Sequence, residues 1–223
     1  MDWTALSLSL KLASCTMLIL FPVGIALGRL LAWSEFRGKA LLEAALALPL
    51  VLPPTVLGFY LLMAIGGDSS AGQWYQRWFG GSLAFSFTGL LLASIVFNLP
   101  FAIQPVQRAF EGIDPKVRDA AACCGLSRWR ALWRIELALA WPGILSAMVL
   151  TFAHTLGEFG VVLIVGGNIP GETRTIAVSI YDKVQAFDFS SAEHMSAVLL
   201  AISMLAITAS FYSARNYSRP RHD

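Results

Sequence analysis

Five apolar runs decide what this chain can fold into. Residues 12–33, 40–65, 83–109, 139–165 and 192–212 are each long enough to cross about 30 Å of hydrocarbon. No water reaches the backbone inside a bilayer, so a spanning segment must satisfy its own N–H and C=O groups, which apolar runs of this length do as helices. The expected fold is an all-α integral membrane bundle of about five transmembrane helices in one domain, 1–223. Composition agrees: 13% of the residues are charged, against roughly a quarter in a soluble domain. A net charge of +2 gives no reason to expect nucleic acid as a partner; the partner of such a surface is membrane lipid. Cys15, Cys123 and Cys124 have neither redox nor zinc spacing and read as small packing residues.

The runs are not uniform. The first has no basic cluster ahead of it, unlike a signal peptide, and its Leu12–Cys15 match to a lipoprotein cleavage box reads as chance. Gly24 and Gly28 form a small-xxx-small pair that lets another helix approach closely, as plain packing rather than as a dimer seam. The second run contains Pro49, Pro53 and Pro54. Each removes a backbone donor and crowds the preceding turn. The helix is expected to kink or break and to line a cavity, a static packing kink being the plainer alternative. A polar, glycine-rich loop, 66–82, places Trp74, Tyr75 and Trp78 at a membrane interface. Asn98 and Pro100 are expected to interrupt the third span, and Pro142-Gly143 to open the fourth. Apart from Arg29 and Arg108 near the ends of the first and third, the spans are free of Lys and Arg, and the fourth carries His154 and Glu158 four apart on one face. These two pair with each other, or with backbone donors at a break made by Gly157 and Gly160; a structural glutamate at the interface is the alternative. Residues 176–186 are too short and polar to cross alone, although an irregular sixth span from 175–190 would reverse the side of the basic tail, Arg215, Arg219 and Arg221.

Charge sets the orientation. With the N-terminus outside, twelve of the 16 Lys and Arg residues fall on the cytoplasmic side, and Lys11, Arg77, Arg174 and Lys183 fall outside. Such an excess over short loops follows the positive-inside rule. It puts the C-terminus and the amphipathic segment 114–138 in the cytoplasm. In that segment Asp114 can cap a helix with Pro115 at its first position, Gly125 can end it in the left-handed conformation, and Ser127 can cap a second helix. Trp129 and Trp133 then share one face beside Arg130 and Arg134. The choice is between a docking socket and an ordinary loop with two surface helices.

No phosphate loop, nucleophile constellation or metal cluster is present, so the chain reads as a non-enzyme that holds no metal or cofactor of its own.

Asp119-Ala120-Ala121, then Gly125, then Ile135 and Leu137, resembles the EAA motif of ABC importer permeases, with Asp for Glu and Ala138 where Pro is usual. Leu48–Pro54, Leu156–Gly160 and Gly167–Thr175 are similar to the permease subunits of molybdate ABC importers, and sulfate and tungstate permeases share parts of these motifs. The resemblance runs from about Leu8 to Tyr212. It implies a type I (MetI-like) permease fold and a homodimer in the bacterial inner membrane. Two cytoplasmic ATPases, holding ATP and Mg, would dock at Asp119, Ala120, Ala121, Gly125, Ile135 and Leu137. The pathway or gate would involve Pro49, Pro53, Pro54, His154, Gly157, Glu158, Phe159 and Gly160. An extracytoplasmic molybdate-binding protein would face Asn168, Pro170, Gly171 and Thr173. A bare Glu158 would repel an anion, so it is expected to brace a gate rather than touch cargo. A secondary transporter predicts more buried ionisable groups and internal repeats, and a membrane scaffold needs no proline-broken span.

Overall fold

The computed structural model describes residues 1–217, and every regular element among them is helical. Four helices are long and apolar enough to cross a membrane. They are α1 (Trp3–Trp33), α5 (Phe87–Glu111), the continuous helix Arg128–Gly157 and α11 (Phe189–Tyr217). A fifth leg is made by α2 (Lys39–Val51) and α3 (Pro54–Ile65), which meet at a 113° bend. This pair follows α5 from end to end. Gln107 Nε2 donates to Glu43 Oε1 at 2.9 Å, Leu57 packs with Ala93 and Phe97, and Ile65 lies beside Gly89.

The bend arises from two adjacent prolines. A residue before proline is pushed out of the α region. Leu52 precedes Pro53 and Pro53 precedes Pro54, and the two adopt ψ of 137° and 135°. Single prolines do less. Pro22, Pro100, Pro105 and Pro142 all lie inside unbroken helices. The expected interruption at Asn98 and Pro100 is therefore absent, and Pro142-Gly143 does not open a helix, because the Arg128–Gly157 helix is already running. One lost hydrogen bond bends a helix without stopping it when the next residues keep helical backbone.

Other boundaries move where side chains cap helices that hydropathy does not register. Asp2 Oδ1 accepts from the Ala5 N–H at 2.9 Å and starts α1 nine residues before the apolar run. As a result Lys11 lies within this helix, as Arg29 does near its other end. Ser69 caps α4 (Ser70–Phe79), which Gly80 ends at φ +73°, so much of the glycine-rich loop is an amphipathic helix exposing Trp74, Trp78 and Phe79. Residues 176–185 form α10 (Ile176–Gln185), which packs across one end of the bundle and does not traverse it. Its first N–H, on Ile176, donates to Ser9 Oγ at 2.8 Å. Arg219 and Arg221 of the basic tail lie outside the described residues.

Lipid is as apolar as a leucine, so close packing rather than hydrophobic burial holds membrane helices together. α1 packs most extensively on α5. A Cβ on Gly24 would sit 2.7 Å from the Ala102 carbonyl oxygen, and one on Gly28 would sit 2.9 Å from Val106 Cγ1. The glycine pair thus serves packing within the chain, as expected. Gly143 makes the same allowance between Arg128–Gly157 and α5, where a Cβ would lie 2.4 Å from Ala109 Cβ. Replacing Gly24 with Val is expected to cost about 1–3 kcal/mol by overpacking this seam. Gly67→Ala, where no atom lies within 4 Å of the added carbon, should change little. Thermal unfolding of the two detergent-solubilised variants checks the contrast.

Candidate functional site

The two backbone breaks of the fold lie against each other. The first is the Leu52–Pro53 bend. The second comes after Gly157, where α8 (Leu137–Gly157) ends and, past Glu158 and Phe159, α9 (Gly160–Gly166) begins. A Cβ on Gly160 would approach Pro54 Cβ to 2.8 Å. Beside this junction lies a cavity of about 590 Å³. Pro54, His154, Gly157, Glu158, Phe159 and Gly160 line it, together with Phe97 and Thr55. Six of the eight residues named as pathway or gate thus converge on one space. Pro49 does not line it; it is buried within α2, and Pro53 caps α3 beside the cavity.

The polar groups here are arranged differently from the sequence expectation. Helical spacing puts His154 and Glu158 on one face, but the helix stops at Gly157 and Glu158 is extended, with φ −67° and ψ 129°. The two side chains do not pair. Both turn to Asn98 on α5. His154 Nδ1 lies 3.0 Å from Asn98 Oδ1, and Asn98 Nδ2 donates to the Ser94 carbonyl at 2.9 Å and reaches Glu158 Oε2 at 3.5 Å. Ser94 Oγ donates to the same carboxylate oxygen at 3.1 Å. An amide oxygen only accepts, so the His154 Nδ1 carries the hydrogen. Its ring also packs at 4.0 Å between centroids against Phe101. Glu158 is 5% exposed, and its Oε1 has no hydrogen-bond partner.

This network fastens the end of α8 to the middle of α5. Glu158 is held by neutral donors and lines a mostly apolar cavity. Ser94 and Asn98 are site members that sequence reasoning passes over. Their signal is present nonetheless: two polar side chains four apart in a run otherwise apolar.

At the other end of the Arg128–Gly157 helix, the amphipathic segment 114–138 forms as its caps require. Asp114 Oδ1 accepts from Lys116 N–H at 2.9 Å and starts α6 (Pro115–Cys123). Gly125 closes it at φ +72°. The Leu126 N–H reaches the Ala121 carbonyl and the Gly125 N–H that of Ala122, the paired bonds of a Schellman motif. Ser127 caps α7 (Arg128–Ala131), which passes through a π turn, Leu132–Glu136, into α8. The expected second short helix is therefore the first turn of a long one. Asp119, Ala120 and Gly125 are exposed, Ala121 is buried, and Ile135 and Leu137 are half-buried. Trp129 and Trp133 are 70% and 68% exposed, a costly arrangement for a surface that meets only water. Glu136, which sequence reasoning does not single out, is buried and paired with Arg29.

The segment 167–175 folds back on itself at the end opposite α6. Thr173 Oγ1 accepts from Ile169 N–H at 3.1 Å. Asn168 accepts from Arg174 Nε and donates to Asp182 Oδ2 at 2.7 Å. Asn168 and Thr173 therefore hold the turn, and Pro170 and Gly171 form its exposed tip.

This sequence and this fold have relatives. The chain belongs to the family described as binding-protein-dependent transport system inner membrane components, whose pattern matches residues 22–223. It is thus a multi-pass inner-membrane permease component. It is 44% identical over 216 residues to the molybdenum transport system permease protein ModB of Azotobacter vinelandii, covering 97% of this chain and 95% of that one. It is 30% identical over 184 residues to the sulfate transport system permease protein CysT of Escherichia coli, covering 81% of this chain and 66% of that one. Among solved structures, a bacterial ABC transporter that imports the acidic polysaccharide alginate superposes with a TM-score of 0.78 at 17% identity, over 97% of this chain and 79% of that one. That likeness establishes the type I permease fold.

Asn98→Ala is expected to remove the shared partner of His154 and Glu158 and to cost about 1–2 kcal/mol of stability. Combined with Glu158→Gln, which replaces the buried carboxyl by an amide, it should cost less than the sum of the two. Thermal unfolding of both single variants and the double variant measures the coupling.

Proposed function

We propose that this chain is the membrane subunit of an ATP-driven molybdate importer. The observation that carries the reading is the 44% identity, across almost the whole of both chains, to a permease named for molybdenum transport. The sulfate permease is more distant and is matched over less of its length. Tungstate shares the charge and tetrahedral shape of molybdate, and sulfate or tungstate is the alternative cargo.

Two copies of the chain form the pathway, with the breaks at Pro53-Pro54 and Gly157–Gly160 as its joints. The N-terminus lies outside and the C-terminus in the cytoplasm, as the basic residues near α6 favour. Two ATPase subunits, carrying ATP and Mg, dock on Asp119–Leu137. The exposed Trp129 and Trp133 support that reading, since a partner would cover them. The extracytoplasmic binding protein meets the Pro170-Gly171 tip and delivers the oxyanion. The cavity beside Pro54 and Gly160 opens and closes as the breaks flex, with Ser94 and Asn98 holding Glu158 in the wall and Asn98 holding His154. Affinity resides in the binding protein, so neutral groups suffice to pass the anion.

Uptake of labelled molybdate into vesicles holding this chain with its ATPase and binding protein tests the reading. Uptake is expected to require ATP and to be blocked by tungstate but not by sulfate. Block by sulfate would change the cargo, and flux without ATP or the ATPase would overturn the mechanism. Gly125→Asp adds a charge where no atom of this chain lies within 4 Å, and aspartate tolerates positive φ better than most residues. It should insert normally yet lose ATPase copurification and most uptake; normal uptake in this variant would rule out the docking role.

A further inference from the structure

The coupling segment is tied to the bundle by a chain of four side chains. Glu136, on the π turn, is 5% exposed. Its Oε2 accepts from Arg29 Nε at 2.7 Å and its Oε1 from Arg29 Nη2 at 3.3 Å, a two-pronged contact. The Arg29 guanidinium lies 5.0 Å from the Trp33 ring centre, and the Arg118 guanidinium of α6 lies 4.0 Å from the same centre. Trp33 in turn stands edge-on to Phe110 of α5, at 5.2 Å between centroids. These groups surround a cavity of about 490 Å³ lined also by Asp119 and Arg128.

The π turn explains why the chain closes. Leu137 N–H bonds to the Leu132 carbonyl, five residues back. One extra residue in a turn rotates the succeeding residues by about 100°. Trp129 and Trp133 thereby stay exposed while Glu136, three residues later, comes round to α1. Among the described residues α6 packs extensively on no spanning helix, and Arg118 reaches from it over Trp33 of α1.

We propose that Arg118, Trp33, Arg29 and Glu136 form a clamp that makes the charged end of α1 move together with the coupling segment. Movement imposed on α6 and α7 then reaches α1, and through the Gly24 and Gly28 seam α5, as well as α8. A paired and nearly buried carboxylate is expensive to separate from its guanidinium, so the clamp transmits rather than yields. The four are positioning residues; none meets the cargo. The proposal rests on reading Asp119–Leu137 as the ATPase contact.

The test is molybdate taken up per ATP hydrolysed, measured in vesicles with the ATPase and binding protein, for Arg29→Gln, Glu136→Gln, the double variant and Arg118→Gln. Each single variant should lower the ratio about tenfold while the ATPase still copurifies and hydrolyses ATP. The double variant, which leaves no unpaired buried charge, should transport no worse than either parent. An unchanged ratio in Glu136→Gln and Arg118→Gln would overturn the clamp. So would a loss of uptake that only tracks lost ATPase copurification. If the variants of the buried pair fail to insert, Arg118→Gln decides alone, because Arg118 is exposed and its loss strands no charge. Absence of ATP-dependent uptake in the unaltered chain would remove the functional reading and the clamp together; a working unaltered chain with unaffected variants removes the clamp only.

Discussion

Everything in this structure depends on where a membrane chain can leave backbone groups without helical partners. Such groups are costly in hydrocarbon unless they face protein or water. In a continuous helix the carbonyls of Pro49 and Leu50 would accept from residues 53 and 54, and both of those are prolines without a donor. The resulting break is placed against the second break, at Gly157–Gly160, and both border the same cavity. Two irregularities that would each be a liability in lipid are made to shelter one space. Of the polar cluster, His154 and Glu158 line that space, and Ser94 and Asn98 hold them from the buried side.

The rest of the bundle is stiff by comparison. α1, α5 and the Arg128–Gly157 helix pass close to one another at glycines, where backbone meets backbone or a small side chain, and rotamers have little room to rearrange. Val106, Phe110, Ile113, Ala140, Ile144 and Ala147 fill the space between α5 and α8 at the charged end. The molecule is thus divided into a frame of three tightly apposed helices and a pair of joints.

Much of this is legible in the sequence because it is written in local rules. Adjacent prolines force a break wherever they occur, and the Asp114, Gly125 and Ser127 caps act through residues two to five positions away. The glycine spacing in α1 announces a close neighbour. The identity of neighbours cannot be read locally. Asn98 looks like an interruption of its own helix, whereas its amide bonds to residues 56 and 60 positions further on. His154 and Glu158 look like a pair only while helical spacing is assumed to continue past Gly157. The Glu136–Arg29 contact spans 107 residues and needs a π turn that no propensity announces. Single prolines are easily over-read, since a helix packed on both sides tolerates the loss of one bond.

α11 carries a consequence of its own. Only 11% of its most apolar 18-residue window is buried, against 56% for α5. It packs on α8 and α10, and near its beginning Met195, Val198, Leu199 and Ile202 meet Leu6 and Ile176. Between Met204 and Ala209 most of its side chains are exposed, and their solvent is whatever surrounds the protein. A harsh, short-chained detergent will therefore loosen α11 before it dissolves the α1–α5 seam, and the choice of solubilising medium will decide which molecule is purified.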